Sequence, residues 1–235
     1  MVYISRYIEA VEEEDEMAEN TTTKIVMEEG HGLYEEKKSR FISQLYTVHS
    51  EEEALALVEA AKKRYYDARH TCFAYIIGRD GRTLRAADDG EPQGTAGRPI
   101  LDVLQGEGLH DAVLIVTRYF GGTLLGTGGL VRAYTRSAMD AVEQAKLAEE
   151  FRGVEFHLNY DYGMAGKVEY LFRNRNGVLL AQEYGAGVMI HGLLPEDSQE
   201  KFFSDLKNES NGSLEAEEVK PCFYVVSEGH GQIVK

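Results

Sequence analysis

Short stretches of alternating apolar and polar residues predict several β-strands in the first half of the chain. TTKIVMEE and LYEEKK flank Gly30-His31-Gly32 and predict a hairpin, and FISQLYTV (41–48) predicts a third strand. TCFAYIIG (71–78) and TLRAA (83–87) flank a turn and predict a second hairpin. AVLIVTRYF (112–120) is apolar throughout its first half, which indicates a central strand buried on both faces.

Three helices are predicted between and after these strands. Ser50 and Glu53 form a capping box, which predicts a helix that ends near Tyr66. Pro99 lies where a second helix can begin. A glycine-rich loop leads into a third helix over about 130–145.

Beyond Glu150 the pattern predicts a strand, a helix, two strands, a helix and a final strand. The strand sequences are VEFHLNY, VLLAQEY, GVMIHGLL and CFYVV, with EAEEV as a candidate short strand before the last. The helices fall at about 162–174 and 196–208. This βαββαβ order is typical of a ferredoxin-like domain. We therefore predict two α+β domains, 21–148 and 151–228, that meet near 148–152.

The net charge of −15 is unevenly distributed along the chain. Residues 1–20 contain seven acidic residues and one arginine, a balance of −6, so the other 215 residues carry −9. We expect 1–20 to be an acidic extension, either a solvated tail or a docking segment. A globally basic nucleic-acid footprint is absent, so any nucleic-acid site must be local.

The remaining composition favours a cytoplasmic protein. No apolar run approaches the ~20 residues that span a bilayer, and we expect no membrane association. The N-terminus does not resemble a secretory signal. Cys72 and Cys222 are far apart and lack CxxC spacing, which fits a reducing compartment.

A carboxylate-rich loop, DDGEPQGTAGRP (88–99), is the first candidate site. Asp88, Asp89 and Glu91 fall within four residues and cannot all be buried without partners. Arginines, lysines or a divalent cation held by oxygen ligands would neutralise them. A structural loop, a partner-binding site and a catalytic site are all open. No His-x-His or Glu-x-x-His spacing supports a transition-metal site, and we predict no metal and no cofactor.

A glycine-rich segment, RYFGGTLLGTGGLVR (118–132), is the second candidate site. A strand, a glycine turn and a helix start expose N–H groups at the positive end of a helix dipole, which suits a phosphate or carboxylate. Arg118 and Arg132 bracket this turn. GxGxxG and GxxxxGK[ST] are both absent, so a nucleotide motif is not supported. Anion binding and simple tight packing are both compatible with these glycines.

Aromatic and thiol side chains near these loops have two interpretations each. Tyr119, Phe120 and Tyr134 lie near arginines in the sequence and fit either core packing or stacking on unpaired bases. His70 and Cys72 share one face of a strand, which fits a structural pair or a Cys–His nucleophile pair.

HTCFAYIIG, DDGEPQGTAGRPIL and VTRYFGG…LGTGGLVRAYT resemble the signature blocks of the YigZ/IMPACT family, and KKSRFI (37–42) resembles its N-terminal block. The resemblance implies an N-terminal ribosomal-protein domain-2-like domain, as in elongation factor G domain IV. It also implies a ferredoxin-like C-terminal domain similar to elongation factor G domain V. Eukaryotic members associate with the translation machinery and restrain the amino-acid-starvation kinase. The acidic extension and the lack of an RWD-type domain depart from the family's patterns.

The family's shared polar positions fall here on Arg40, His70, Asp88, Asp89, Glu91, Thr95, Arg118, Tyr119 and Arg132. With the glycine-rich turn they form a predicted recognition surface, which adds Gly121, Gly122, Gly126, Gly128, Gly129 and Tyr134. The first hypothesis is a translation-associated protein without catalysis, whose partner is the ribosome, RNA or a regulatory protein. In it Arg118 and Arg132 contact phosphates and Tyr119 or Tyr134 stacks on a base. The alternative is an enzyme in which Asp88, Asp89 or Glu91 acts as general base on a small anionic substrate.

Overall fold

The computed structural model describes residues 23–227 and 229–234, so the predicted acidic extension lies outside the described residues. The described elements, in chain order, are β1 (Lys24–Glu28), β2 (Gly30–Glu36), β3 (Ser39–Thr47), α1 (Glu51–Arg64), β4 (His70–Ile77), β5 (Thr83–Ala87), α2 (Gly97–Gly106), β6 (Ala112–Tyr119), α3 (Thr127–Gln144), β7 (Lys146–Tyr160), α4 (Ala165–Asn174), β8 (Val178–Tyr184), β9 (Val188–Pro195), α5 (Glu196–Glu209), β10 (Glu217–Ser227) and β11 (His230–Val234). The mixture of helices and antiparallel sheets confirms the predicted α+β class.

The first sheet has five antiparallel strands in the order β2-β3-β6-β4-β5. Strand β6 is buried on both faces, as its apolar sequence predicts. Leu114 and Val116 pack toward α2 and α3, whereas Val113 and Ile115 belong to the cluster beneath α1. Helix α1 starts at the predicted cap, where Ser50 Oγ accepts a hydrogen bond from the Glu53 amide at 3.2 Å.

The prediction of a hairpin turn at residues 30–32 is wrong. Strand β1 pairs with β7 instead, placing Lys24 opposite Glu149, while β2 pairs with β3. Gly30 is the first residue of β2, and a Cβ there would overlap the carbonyl oxygen of Ala141 in α3. This glycine therefore permits close packing of a helix on the strand, and it does not form a turn.

The second sheet has the order β11-β10-β7-β9-β8, with β1 added on β7. Within it, β10-β7-β9-β8 is the ferredoxin-like order predicted from the sequence. Helices α4 and α5 cover one face through a core that includes Phe156, Phe172 and Phe202. Strand β11 was not predicted, and the two candidate strands near the C-terminus are one strand, β10.

The predicted domain boundary at 148–152 falls inside β7, which runs without interruption over 15 residues. Ion pairs hold the region around this boundary together. Arg79 Nε lies 2.8 Å from Glu150 Oε2, and the Arg79 guanidinium stacks 4.1 Å above the Phe223 ring. His110 Nε2 lies 3.2 Å from the same Glu150 oxygen. Burial alone would lower the pKa of His110, but Glu150 and Asp111 raise it above its usual value.

Candidate functional site

The two predicted loops meet at one end of the first sheet. Strands β3 and β4 begin there and β6 ends there, so Arg40 lies opposite Tyr119 and His70 lies opposite Arg118. Strand β5 ends at the same place, with Ala87 opposite Phe73. The carboxylate loop then leads into α2 and the glycine-rich turn into α3. We call this region the loop end of the sheet.

A buried polar cluster lies beneath the loop end. Glu91 Oε1 accepts hydrogen bonds from Arg118 Nη1 at 2.6 Å and from the Tyr134 hydroxyl at 2.9 Å. Arg118 Nη2 donates to Ser39 Oγ at 3.3 Å, and Ser39 Oγ also accepts from the Gly121 amide at 3.1 Å. The cluster therefore joins the carboxylate loop, β3, β6 and α3 through a neutralised charge pair.

This burial corrects two expectations for the recognition surface. Tyr134 has 0% exposure, so it packs in the core and cannot stack on a base. Arg118 has 5% exposure and is paired with Glu91, so its guanidinium is not presented to a phosphate. Phe120 is the exposed aromatic residue beside them, at 42%, and the Arg118 guanidinium lies 5.6 Å from its ring.

Asp88 organises the carboxylate loop. Its Oδ1 accepts hydrogen bonds from the amides of Ala96 and Gly97 at 3.0 and 2.9 Å, and its Oδ2 accepts from Gly94 at 2.7 Å. Burial would raise the pKa of Asp88, but these amide hydrogen bonds lower it below its usual value. Helix α2 has no side-chain cap of its own, so Asp88 supplies that cap from outside the helix.

Asp89 fastens the loop to β4 and α1. Its Oδ2 accepts from the Thr71 amide at 2.7 Å, and its Oδ1 lies 3.6 Å from Lys62 Nζ. The Asp89 carbonyl oxygen lies 2.9 Å from His70 Nδ1. Thr95 closes the loop by donating from Oγ1 to the Pro92 carbonyl at 2.6 Å.

The arrangement favours a structural role for this loop over general-base catalysis. Each of its three carboxylates accepts hydrogen bonds from groups of the protein itself and so already has a structural partner. The Cys72 sulfur lies 3.0 Å from the Asp88 carbonyl oxygen and 3.4 Å from the Tyr134 hydroxyl. Burial raises the pKa of the Cys72 thiol far above its usual value, so this group is a poor nucleophile.

The glycine-rich turn is exposed. Gly122 and Gly126 have φ values of 84° and 72°, which favour glycine. Helix α3 begins at Thr127 without a side-chain cap, and the first amides of a helix have no partner within it. Arg132 is also exposed, and its Nη1 lies 3.8 Å from the position that a Cβ of Gly128 would occupy. The guanidinium therefore lies beside the first turn of α3. Gly129 lies in the same turn.

A lysine turn between β2 and β3 adjoins the glycine-rich turn. Lys37 and Lys38 are exposed and have φ values of 46° and 67°. A Cβ at Gly121 would overlap the Lys38 backbone, so the two turns are in direct contact. Sequence reasoning missed these lysines, although their place between two strand patterns indicates a turn.

Two further residues of the predicted recognition surface, Arg40 and Tyr119, lie on neighbouring strands at the loop end. The Arg40 guanidinium lies 4.7 Å from the Tyr119 ring and stacks on it.

Outside the loop end, one group of the described residues has metal-ligating chemistry. Glu155, His157 and His191 place one ligand atom each within 4.8 Å of the others. Sequence reasoning found no signal in these histidines, because two of the three ligands lie on β7 and the third on β9. No helix among residues 23–227 and 229–234 is long and apolar enough to cross a membrane.

The fold and loops define a two-part α+β protein whose parts each match a family model. Residues 37–142 match the Impact N-terminal domain, and residues 158–213 match a domain of unknown function, DUF1949. The chain belongs to the IMPACT family.

Relatives in two bacteria support this assignment. The IMPACT family member YvyE of Bacillus subtilis (strain 168) is 37% identical over 182 residues, which cover 77% of this chain and 84% of the relative. The IMPACT family member YigZ of Escherichia coli (strain K12) is 38% identical over 181 residues, covering 76% and 89%. A crystal structure described only as a hypothetical protein is 36% identical, with a TM-score of 0.53, and covers 83% of this chain and 96% of that chain.

Proposed function

We propose that this chain is a translation-associated RNA-binding protein that contacts RNA phosphates at the loop end of the first sheet. The observation that carries the proposal is a group of three exposed cations around the glycine-rich turn, Lys37, Lys38 and Arg132. None of them forms an ion pair with the described residues. Their charges are thus available to an external anion, although the whole chain is acidic.

The conformation of the lysine turn supports a functional role for its charges. Two consecutive left-handed residues form the kind of tight hairpin turn in which Asn-Gly is strongly preferred. Lys37 and Lys38 occupy both positions, and each left-handed non-glycine residue costs about 1–2 kcal/mol. Lysine in both positions sacrifices stability for positive charge, which is the pattern expected of a binding site.

The glycine-rich turn adds uncharged donors to the same surface. The free amides at the start of α3 and the Arg132 guanidinium beside them suit a phosphate group. Phe120 and Leu124, which are 42% and 83% exposed, offer apolar surface next to these donors. An exposed aromatic ring beside cations is the composition used to stack unpaired bases, so single-stranded or looped RNA is the favoured form.

The translation setting rests on the family. The resemblance of the signature blocks implies association with the translation machinery. The structured RNA of that machinery supplies phosphates and unpaired bases. The enzyme alternative has less support, since Asp88, Asp89 and Glu91 already accept hydrogen bonds within the protein.

The test is co-sedimentation of the full chain with ribosomes, together with binding to a single-stranded RNA, across a salt series. In the test variant Lys37, Lys38 and Arg132 are each replaced by glutamine. The wild type should bind and should weaken as salt rises from ~50 to ~200 mM. The triple variant should bind more weakly, and its log–log salt slope should be reduced by roughly 2, since each lost phosphate contact removes about 0.7 for single strands.

A matched control removes three exposed cations from α4 and α5 by the changes Arg173→Gln, Lys201→Gln and Lys207→Gln. Its net charge equals that of the test variant, but it should bind as the wild type does. Equal binding by the test variant and the wild type at low salt would refute the proposal. Equal weakening of both triple variants would refute the assignment of the site to the loop end.

A further inference from the structure

The open face of the second sheet carries two histidines and a glutamate from distant parts of the sequence. Glu155 and His157 are two residues apart on β7, so their side chains share one face. Phe156, which lies between them, and Leu158, which follows His157, point into the helix-covered core on the opposite face. His191 on β9 lies directly opposite His157 in the register, and it therefore shares the open face.

The three side chains are in contact. His191 Nε2 lies 2.6 Å from Glu155 Oε1, and the His157 and His191 rings stack with centroids 4.3 Å apart and planes within 11°. The side chains of His191 and Glu155 are 26% and 25% exposed, so they are accessible to small ions but partly shielded from water. An imidazole nitrogen and a carboxylate oxygen are both common ligands of divalent metal ions.

A fourth oxygen donor comes from β10. The β10–β7 register shifts between Glu217 and Lys220, and inside this bulge Glu218 has a φ of 51°. Bulges of this kind re-aim a side chain and occur beside functional sites. Because Glu217 pairs with His157 and Lys220 pairs with Glu155, the bulge that contains Glu218 lies beside two of the three residues. Lys220 Nζ lies 3.0 Å from Glu218 Oε2.

We propose that Glu155, His157 and His191 bind a divalent transition-metal ion, for which Zn²⁺ is the best match, with Glu218 or water as the fourth ligand. Two imidazoles and a carboxylate form a known zinc ligand set, with Zn–N and Zn–O distances of about 2.0–2.2 Å. Tetrahedral ligands at these distances lie roughly 3.3 Å apart. The three ligand atoms lie within 4.8 Å of one another, so side-chain rotation alone brings them to a common ion. The ion would cross-link β7 and β9.

The experiment uses the untagged full chain, stripped of metal with a chelator, in a Cys222→Ser background that removes the half-buried thiol near Glu155. Zn²⁺ is titrated in competition with a chromophoric chelator, and bound Co²⁺ is followed by its visible absorption. We expect one ion per chain. His157→Gln and His191→Gln should each weaken Zn²⁺ binding by at least ~100-fold and abolish the Co²⁺ absorption, because even partners outside the ligand set contribute about 10–100-fold.

The chain offers a matched control in His31, whose Nε2 lies 3.1 Å from Glu29 Oε1 in an exposed pair that lacks a second histidine. His31→Gln should leave the affinity unchanged. Glu155→Gln, which keeps the side-chain size, is the second test variant, and circular dichroism confirms that each variant folds. Retention of wild-type affinity by His157→Gln and Glu155→Gln would overturn the proposal, as would equal losses in His31→Gln.

Discussion

Replacing Glu91 by glutamine removes the negative charge that neutralises Arg118 in the buried cluster. The two side chains are 4% and 6% exposed, and Arg118 Nη1 lies 2.6 Å from Glu91 Oε1. Removing one partner of a buried ion pair leaves an uncompensated charge and costs about 3–5 kcal/mol. At an m value of ~2 kcal/mol/M, this loss lowers the urea midpoint of unfolding by roughly 2 M.

The measurement is equilibrium urea unfolding of four proteins that form a double-mutant cycle. They are the wild type, Glu91→Gln, Arg118→Met and the double variant. Because the double variant has no buried charge in this cluster, it should be more stable than Glu91→Gln by at least about 1 kcal/mol. Glu183→Gln, an exposed change on β8, serves as the control and should stay within ±0.5 kcal/mol of the wild type.

Two results would refute this reasoning. If the free energy of unfolding of Glu91→Gln lies within about 1 kcal/mol of the wild-type value, the carboxylate does not stabilise Arg118. If the double variant is as unstable as Glu91→Gln, the two charges are not coupled. A Glu91→Gln protein that folds normally but loses an activity would instead support Glu91 as a reacting group.

Two further predictions concern the ion pairs at β7 and the contact between the two turns. Glu150 raises the pKa of His110, so this pair should stabilise the fold fully below the unfolded histidine pKa and lose that stabilisation as pH rises through the raised folded pKa. The pKa of Glu150 is lowered despite its burial, so its contribution should be lost as pH falls through that lowered value. Urea midpoints of the wild type and His110→Gln between about pH 2 and 9 test both limits, and a variant with the same pH profile as the wild type would contradict them. Gly121→Ala should cost about 1–3 kcal/mol, because the new Cβ overlaps the Lys38 backbone, whereas a Cβ at Gly185 meets no atom within 4 Å and Gly185 has no left-handed φ. If urea unfolding shows equal losses for alanine at both glycines, the close contact between the turns is not what requires Gly121.

Local patterns in the sequence predicted the elements whose signal lies within a few residues of the chain. The β4–β5 hairpin, the buried strand β6 and the cap of α1 all follow from alternation, apolar runs or a capping box within a few residues. The prediction of the partner of β1 failed because the partner residues lie at 146–149. The local sequence of a short strand does not indicate pairing with a segment more than a hundred residues away.

The candidate site shows the same division. The burial of Tyr134 could be predicted from the sequence, because it lies on an apolar stripe at helical spacing with Leu130, Ala133, Ala138 and Ala141. Arg118 was one of several expected partners of the three carboxylates, but its pairing with Glu91 in particular could not be predicted, because one residue lies in a loop and the other on a strand. Their contact exists only once β6 and the carboxylate loop have both folded against α3.

The pairing of β1 with β7 has a consequence for synthesis on the ribosome. Lys24 pairs with Glu149, which is added to the chain about 125 residues later. At roughly 5–20 residues per second, Ile25 and Val26 must wait about 6–25 s before their partner strand exists. During this interval the two apolar side chains, which are buried in the folded protein, are exposed. Slow elongation between residues 24 and 149 would therefore lengthen the time available for aggregation.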